Sequence, residues 1–344
     1  MRVAIVNDLP IAMEILKRTL ALAPEHVVAW VAVDGRQALT LCRTDTPDVI
    51  LMDLIMPVLD GVESTRLIMR ECPCAVLVVT ATVEGNAALV FEAMGHGALD
   101  AVCTPTLADD GSIAGASELL AKLDLLSKLL GKRGAEPAPL PTQTMSPVSR
   151  PAPALVALGC STGGPMALGE ILGGLPEDFP APLVVVQHVD SRFVQGLAEW
   201  LGGHTRLTVR LAQSGDQPRA GEVLLAGGDQ HLIMEKDLTL GYSSHPLDTP
   251  YRPSVDVFLS SLAHSGYPRS VAAILTGMGR DGARGLLELR RKGWRTLAQD
   301  EGTCVVYGMP KAAVELDAVD EILGLDSIAP ALVRHFHQQR LARL

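Results

Sequence analysis

The chain has 344 residues, 48% of them hydrophobic, and a net charge of −10 at pH 7. This length allows two cores of ordinary size. No apolar stretch approaches the roughly 18 to 20 residues that a membrane span needs, and the first apolar run is too short for a signal peptide. Residues 1–153 carry 12 basic and 18 acidic side chains, and residues 154–344 carry 17 and 21, so neither half has the basic surface typical of nucleic-acid binding. We therefore expect a cytoplasmic protein that neither inserts into membranes nor binds nucleic acid.

Short apolar runs alternate with helix-length stretches in the first part of the chain. The five runs lie at 3–6, 26–33, 48–52, 75–79 and 98–103. This rhythm predicts an α/β fold with a doubly wound, five-stranded parallel sheet of the flavodoxin type. Residues 117–130 repeat leucines at helical spacing, which predicts an amphipathic helix that packs on the core of this sheet.

Polar side chains follow three of these runs. Asp8 comes after the first, Asp53 ends the third and Thr80 ends the fourth. The carboxyl ends of parallel strands meet at one edge of a sheet, so the two carboxylates are expected to meet there. Such an oxygen-rich site suits Mg²⁺, which prefers hard oxygen ligands and keeps waters for a phosphoryl group.

The string around Asp53 resembles the receiver domain of two-component response regulators, and the resemblance covers residues 1 to roughly 125. It implies phosphorylation at Asp53 by a histidine kinase, Mg²⁺ held by Asp8, Asp53 and the backbone carbonyl of Ile55, and a switch at Thr80. Two positions depart from the receiver pattern: Asn7 replaces one of the usual paired acids, and Thr104 replaces the usual lysine. These changes remove one negative charge from the metal site and one cation that would pair with the phosphoryl group.

A proline-rich stretch separates the two halves of the chain. Residues 131–153 contain six prolines and few large apolar side chains, a composition that cannot build a core and predicts an extended or disordered linker. The predicted organisation is a receiver at 1–130, a linker at 131–153 and a second α/β domain, with a Rossmann-like, mostly parallel sheet, at 154–344.

The second domain opens with an apolar run at 155–158 that leads into a glycine-rich turn containing Ser161. A strand–turn–helix corner can lift a serine above the sheet edge, where the N–H groups of the helix start can stabilise an oxyanion. The same string could also cradle a phosphate. Two later apolar runs, 183–186 and 271–275, lead to His188 and Asp281. Serine, histidine and aspartate at three strand ends favour a hydrolytic triad, in which the carboxylate orients the imidazole that takes the serine proton.

Five ordered motifs in this half are similar to the catalytic domain of the CheB family of protein-glutamate methylesterases. They lie at 161–165, 186–188, 252–256, 275–282 and 306–310. The resemblance implies removal of methyl groups from glutamyl esters on chemoreceptor helices, often with deamidation of glutamines. It also implies Ser161, His188 and Asp281 as the triad, and backbone N–H groups near Thr162 and Met278 as the oxyanion hole. The first residues of the chain and the Thr-Pro-Thr string at 104–106 hint at a branch that serves a non-flagellar chemosensory pathway.

Alternatives remain at two positions and for the domain as a whole. Asp256 competes with Asp281 for the third triad position, although Pro253 predicts a helix start that Asp256 or Ser254 would serve. His231 is a rival base, but it follows a turn and is expected to support the rim of the site. The domain could also act only by binding, as a gated module without turnover or as a phosphate binder. Triad chemistry needs no cofactor, so Mg²⁺ is expected only in the receiver.

Overall fold

The structure is a computed structural model that describes residues 1–81, 86–108, 111–131, 153–249 and 251–341. It divides into two compact units, Met1–Thr142 and Gln143–Leu344. The division falls inside the predicted linker at 131–153, of which only the two end residues are described. The bounds of that linker therefore stay a prediction.

The first unit alternates strands and helices from its first residues. Its elements, in chain order, are β1 (Arg2–Val6), α1 (Pro10–Ala21), β2 (Val27–Ala32), α2 (Gly35–Thr44), β3 (Val49–Met52), α3 (Gly61–Glu71), β4 (Ala75–Thr80), α4 (Ala87–Gly95), β5 (Asp100–Cys103), β6 (Thr106–Leu107), β7 (Ile113–Ala114) and α5 (Ala116–Gly131). Five strands form one parallel sheet in the order β2-β1-β3-β4-β5, and β6 pairs antiparallel with β7. The predicted doubly wound receiver fold is confirmed.

Strand burial and helix capping explain these elements. β3 is buried at all four residues, as expected for a strand covered by helices on both faces of a parallel sheet. Asp34 and Asp60 each accept the backbone N–H three residues on, which caps α2 and α3. In α5, Leu119, Leu123 and Leu126 lie in the core of this sheet, so the predicted amphipathic helix packs where its spacing indicated.

The second unit contains a larger sheet. Its elements are β8 (Val156–Cys160), α6 (Gly164–Gly173), β9 (Leu183–Gln187), a 3₁₀ turn (Ser191–Phe193), α7 (Val194–Gly202), β10 (Thr208–Leu211), β11 (Glu222–Leu225), β12 (His231–Met234), β13 (Leu240–Ser243), α8 (Val255–Ser265), β14 (Val271–Ile274), α9 (Ala283–Arg291), β15 (Arg295–Gln299), α10 (Met309–Glu315), β16 (Glu321–Leu323) and α11 (Leu325–Leu341). Seven strands run parallel in the order β10-β11-β9-β8-β14-β15-β16, and β12 and β13 form an antiparallel pair.

Strand order decides which side chains can meet. β8 lies in the middle of the sheet, between β9 and β14, and its five residues are all buried. The three strands run parallel, so their carboxyl ends lie at the same edge. The segments that follow β8, β9 and β14 carry Ser161, His188 and Asp281 respectively, and the fold thus brings the predicted triad to neighbouring strand ends.

Candidate active site

The Ser161 turn is compact because glycines allow close approach. Gly163 adopts a positive φ of 78°, and a Cβ there would lie 2.6 Å from the Cβ of Val305. The N–H of Gly164 donates to the carbonyl of Ser161 at 2.8 Å, and Pro165 follows in the first turn of α6. Ser161 is half-buried at the head of this turn, as predicted for a strand–turn–helix corner.

Backbone hydrogen bonds fix Ser161 between the segment that carries His188 and the segment that leads to Asp281. The N–H of His188 donates to the carbonyl of Cys160 at 3.0 Å, and the N–H of Ser161 donates to the carbonyl of Thr276 at 3.1 Å. The backbone of Ser161 therefore lies beside the start of the His188 loop on one side and the loop that leads to Asp281 on the other.

His188 and Asp281 form a direct pair. Nε2 of His188 lies 2.8 Å from Oδ2 of Asp281, and the two side chains are only 9% and 6% exposed. A carboxylate can only accept, so Nε2 carries the proton and Nδ1 is the nitrogen that can take another. Within the described residues, this buried Nδ1 has no hydrogen-bond partner, and Ser161 Oγ makes no hydrogen bond to it. Such contacts commonly tighten only when substrate binds.

Asp281 sits on the N-terminus of α8. Its carboxylate accepts from Ser254 Oγ at 2.8 Å, from the N–H of Val255 at 2.6 Å and from the N–H of Asp256 at 3.0 Å. Burial opposes ionisation, but the bond and charge of His188 and these donors outweigh it, so the pKa of Asp281 lies below its usual value. The carboxylate is therefore charged and ready to stabilise an imidazolium.

Asp256 has a different environment, although it lies close to Asp281. Its Oδ1 accepts from the N–H of Gly285 at 2.8 Å, at the start of α9. Burial and the charge of Asp281 raise its pKa to about 7. Ser254 caps α8 through Val257, as the helix-start interpretation of this segment predicted. The carboxylate bonded to His188 is thus that of Asp281, which supports the preference for Asp281 as the triad acid.

The N–H groups of Thr162 and Met278 are available for an oxyanion. In the described part of the chain, neither donates to a protein acceptor. The hydroxyl of Thr276 donates to the carbonyl of Thr162 at 3.0 Å and accepts from the N–H of Val306 at 3.0 Å. This threonine ties the serine turn to the two loops beside it and so fixes where the free N–H groups lie.

Near the predicted triad, the sequence assigned no role to Gln187 or Tyr251, and it predicted that His231 supports the rim of the site. Gln187 Nε2 donates to the carbonyls of Ser161 and His188 at 2.9 and 2.8 Å. The ring of Tyr251 stacks on that of His188 with centroids 4.3 Å apart. His231 is fully buried and accepts the N–H of Ser254 at Nδ1, at 3.1 Å. It therefore supports the start of α8, where Asp281 is bonded, from the interior of the domain. Gln187 lies inside the motif at 186–188 and Tyr251 directly precedes the motif at 252–256; these positions were the only signals that could have indicated them.

The predicted acidic site lies where β1 and β3 of the receiver end, with Asn7 in place of one of the usual acids. Asn7 Nδ2 donates to Oδ2 of Asp53 at 3.0 Å, while its Oδ1 accepts the N–H of Leu9 at 2.8 Å. Burial, with a contribution from the charge of Asp8, raises the pKa of Asp53 to about 6, although the N–H groups of Leu54 and Ile55 oppose the shift. Two carboxylates whose charges repel one another suit a divalent cation, so these residues fit Mg²⁺.

The structure also places Thr80, the predicted switch residue, and Thr104, which stands where the receiver pattern has a lysine. Thr80 ends β4 and is buried, its carbonyl accepts the N–H of Thr104 at 2.9 Å, and Asn86 Nδ2 lies 3.4 Å from its hydroxyl. Lys122 does not replace the missing lysine, because its ammonium pairs with Asp100 at the start of β5, whereas Thr104 follows the end of that strand.

No helix in the described ranges is both long and apolar enough to cross a membrane.

Comparison with known proteins agrees with both halves of this description. Residues 156–332 match the family described as CheB methylesterase, and residues 3–110 match the response regulator receiver domain. A protein-glutamate methylesterase/protein-glutamine glutaminase of Burkholderia thailandensis is 51% identical over 343 residues, covering 100% of both chains. One of Cupriavidus metallidurans is 52% identical over 333 residues, covering 97% of this chain and 98% of its own.

A solved structure also resembles the second unit. The CheB methylesterase catalytic domain of Thermotoga maritima is 36% identical, with a TM-score of 0.51, and the match covers 53% of this chain and 98% of that domain. Full-length relatives at this level of identity, together with a family match over half of the chain, leave one conclusion: the chain belongs to the CheB methylesterase family, with a response regulator receiver domain preceding its catalytic domain.

Proposed function

We propose that this chain is a phosphorylation-regulated protein-glutamate methylesterase that also deamidates protein glutamines. Its full-length relatives carry both activities in their names. The substrates would be glutamyl methyl esters on the helices of methyl-accepting chemoreceptors, and the phosphodonor a histidine kinase of the same sensory system. The observation that carries the proposal is the buried His188–Asp281 pair beside the Ser161 turn.

The chemistry follows from which ring nitrogen is free. Ser161 Oγ attacks the ester carbonyl while its proton passes to Nδ1 of His188, and Asp281 stabilises the imidazolium through Nε2. The N–H groups of Thr162 and Met278 bind the oxyanion. Methanol leaves with the proton from His188, which leaves a glutamyl ester on Ser161. Water then attacks this ester and gives its proton to His188, which passes it to Ser161 Oγ as the bond to the glutamyl group breaks and the glutamate is released. A glutamine substrate would lose ammonia in place of methanol.

The receiver would control this reaction through Asp53. Asp8, Asp53 and the backbone carbonyl of Ile55 would hold Mg²⁺, which neutralises charge on the incoming phosphoryl group. The carboxylate of Asp53 attacks phosphorus only when ionised, and even with its pKa raised to about 6 most of it is ionised at neutral pH. The amide of Asn7 already donates to Asp53 and would orient the carboxylate for attack. Thr80, at the end of the neighbouring strand, would then respond to the phosphoryl group.

We expect Ser161→Ala to abolish methanol release from methylated receptor, with a loss on the order of 10⁴-fold or more, because triad members act as a unit. The measurement is steady-state methanol release by the full chain. Ser214→Ala is the matched control, since Ser214 is an exposed serine of the same domain. A serine-reactive phosphonate, with the labelled peptide identified by mass, should modify Ser161. Full activity in Ser161→Ala would contradict the proposal, and a probe that does not label Ser161 would favour the binding-only alternatives.

A further inference from the structure

Tyr251 lies flat against the catalytic histidine. Its ring and that of His188 are nearly parallel, with an angle of 7° between their planes and 4.3 Å between their centroids. The phenol oxygen reaches the loop that carries Met278, where a Cβ placed on Gly279 would lie 3.0 Å from it. Tyr251 therefore spans from the face of the imidazole to the glycine loop that precedes Asp281.

This contact restrains a motion that the hydrogen bonds leave free. The bond from Nε2 to Asp281 fixes one edge of the ring, while the buried Nδ1 has no partner in the described ranges. A ring held at one edge can still tilt about that bond. A flat aromatic surface at 4.3 Å limits the tilt, so Nδ1 stays in one plane for proton transfer.

The contact also has an electrostatic consequence. When His188 takes the serine proton it becomes a cation, and a cation within about 6 Å of an aromatic face is stabilised by the negative face of the ring. The pKa of the Tyr251 phenol is raised by burial and by the charge of Asp281, so the residue stays neutral. The stabilisation acts on the imidazolium and hardly on the neutral imidazole, which means that it favours the charged state formed during the reaction.

The other charged groups around His188 are accounted for. Asp281 faces Nε2 directly, Asp256 lies behind Asp281, and Arg284 acts on Asp256. On the loop of His188 itself, Asp190 is bonded to Arg192. Substitution of Tyr251 leaves all of these charges in place, so a change in the titration of His188 would report on the aromatic face.

We infer that Tyr251 is a positioning residue for His188, which fixes the plane of the imidazole and stabilises its protonated form. This inference rests on the proposed role of His188 as the catalytic base. It assigns Tyr251 a contribution to the rate of ester hydrolysis, separate from any contact with the receptor.

The test compares Tyr251→Phe, which keeps the aromatic face, with Tyr251→Leu, which keeps apolar cover without it. In the full chain, followed by NMR, we expect the titration of His188 to move about 0.5 pH unit or more to lower pH in the leucine variant, and to stay near that of the parent in the phenylalanine variant. Tyr267→Leu is the structural control, because Tyr267 is buried in the same domain and its hydroxyl bonds to the carbonyl of Pro153. It should lower stability without moving the titration.

Kinetics supply the second readout. We expect Tyr251→Leu to lower kcat about five-fold with little change in KM, and to shift the acid limb of the kcat/KM profile to lower pH, with Phe restoring both. Tyr251→Met replaces the leucine variant if that one fails to fold. An unchanged His188 titration in the leucine or methionine variant would overturn the inference. The titration requires no turnover, so failure of the proposed esterase reaction remains distinguishable from failure of this role.

Discussion

At the scale of single residues, the two carboxylates at the start of α8 show how position decides role. Asp281 receives donors from Ser254, Val255 and Asp256, together with His188, and its pKa is lowered. Asp256 faces the N-terminus of α9, and burial beside Asp281 raises its pKa to about 7. Asp281 therefore stays charged, whereas Asp256 links the N-terminal ends of α8 and α9.

Asparagine substitutions separate these two roles. We expect Asp281→Asn to lower kcat on the order of 10³ to 10⁴-fold, because the imidazole loses its orienting charge. Asp256→Asn should lower it far less, since the neutral amide can still accept the N–H of Gly285. The measurement is methanol release by both variants under identical conditions. A larger loss in Asp256→Asn would show that the third triad member is misassigned.

Asp53 gives a prediction about stability and pH. Its folded-state pKa is raised to about 6, so ionisation costs stability as pH rises from about 4, where the unfolded chain deprotonates, to about 6. Asp53→Asn should therefore stabilise the receiver, with a gain absent below pH 4 and complete above pH 6. The measurement is denaturant unfolding of the two chains across this range. Added Mg²⁺ should shrink the gain; a gain that is the same at pH 3.5 and pH 7 would contradict the assignment.

At the scale of elements, the sequence predicted best the positions of the strands and the site residues that follow their carboxyl ends. Periodicity located the five receiver strands within a few residues, and the ends of β8, β9 and β14 named the three residues that now lie together. The contacts of Gln187, His231 and Tyr251 could not be predicted, for one physical reason. Their roles depend on which carbonyl, N–H or ring comes near them after folding, and these partners are either backbone groups or lie tens of residues away.

The turn between β8 and α6 yields a test of close packing. A Cβ on Gly164 would lie 2.0 Å from Oε1 of Gln187 and 2.9 Å from the Cβ of Cys160. Gly164→Ala should displace the amide that bonds Ser161 and His188, lowering kcat strongly and stability by about 1–3 kcal/mol. Gly202→Ala is the matched control, because a Cβ added at this position, the end of α7, would meet no described atom within 4 Å. Thermal unfolding and methanol release of both variants make the comparison, and equal behaviour would refute it.

At the scale of the whole molecule, we predict that the receiver inhibits the catalytic domain by covering its active-site cleft. If residues 131–153 form the predicted flexible linker, they would hold the two domains at an effective concentration in the millimolar range, and a weak contact would then suffice to occlude the cleft. We therefore predict that the receiver occludes the cleft before phosphorylation. Phosphorylation at Asp53 would then need to shift docked and open populations by only a few kcal/mol.

Three preparations test this control. A fragment from Pro151 to Leu344 should hydrolyse receptor methyl esters faster than the unphosphorylated whole chain. Asp53→Ala should keep the whole chain at its low rate even with phosphodonor and Mg²⁺, whereas the parent chain should be activated. Steady-state methanol release gives the rate of each preparation, with the parent chain measured before and after phosphorylation. Equal rates for the fragment and the unphosphorylated chain would rule out inhibition by occlusion.

The donors around Asp281 have a further consequence for how this fold can evolve. The carboxylate bonded to His188 also caps α8 through two backbone N–H groups and the Ser254 hydroxyl. Its removal would leave buried donors without an acceptor, a cost that falls on folding whether or not the protein turns over substrate. A related protein that has lost hydrolysis would therefore still need Asp281 for stability, whereas Ser161 could be substituted without cost to folding. In related chains, the serine and not the aspartate should distinguish enzymes from their silent descendants.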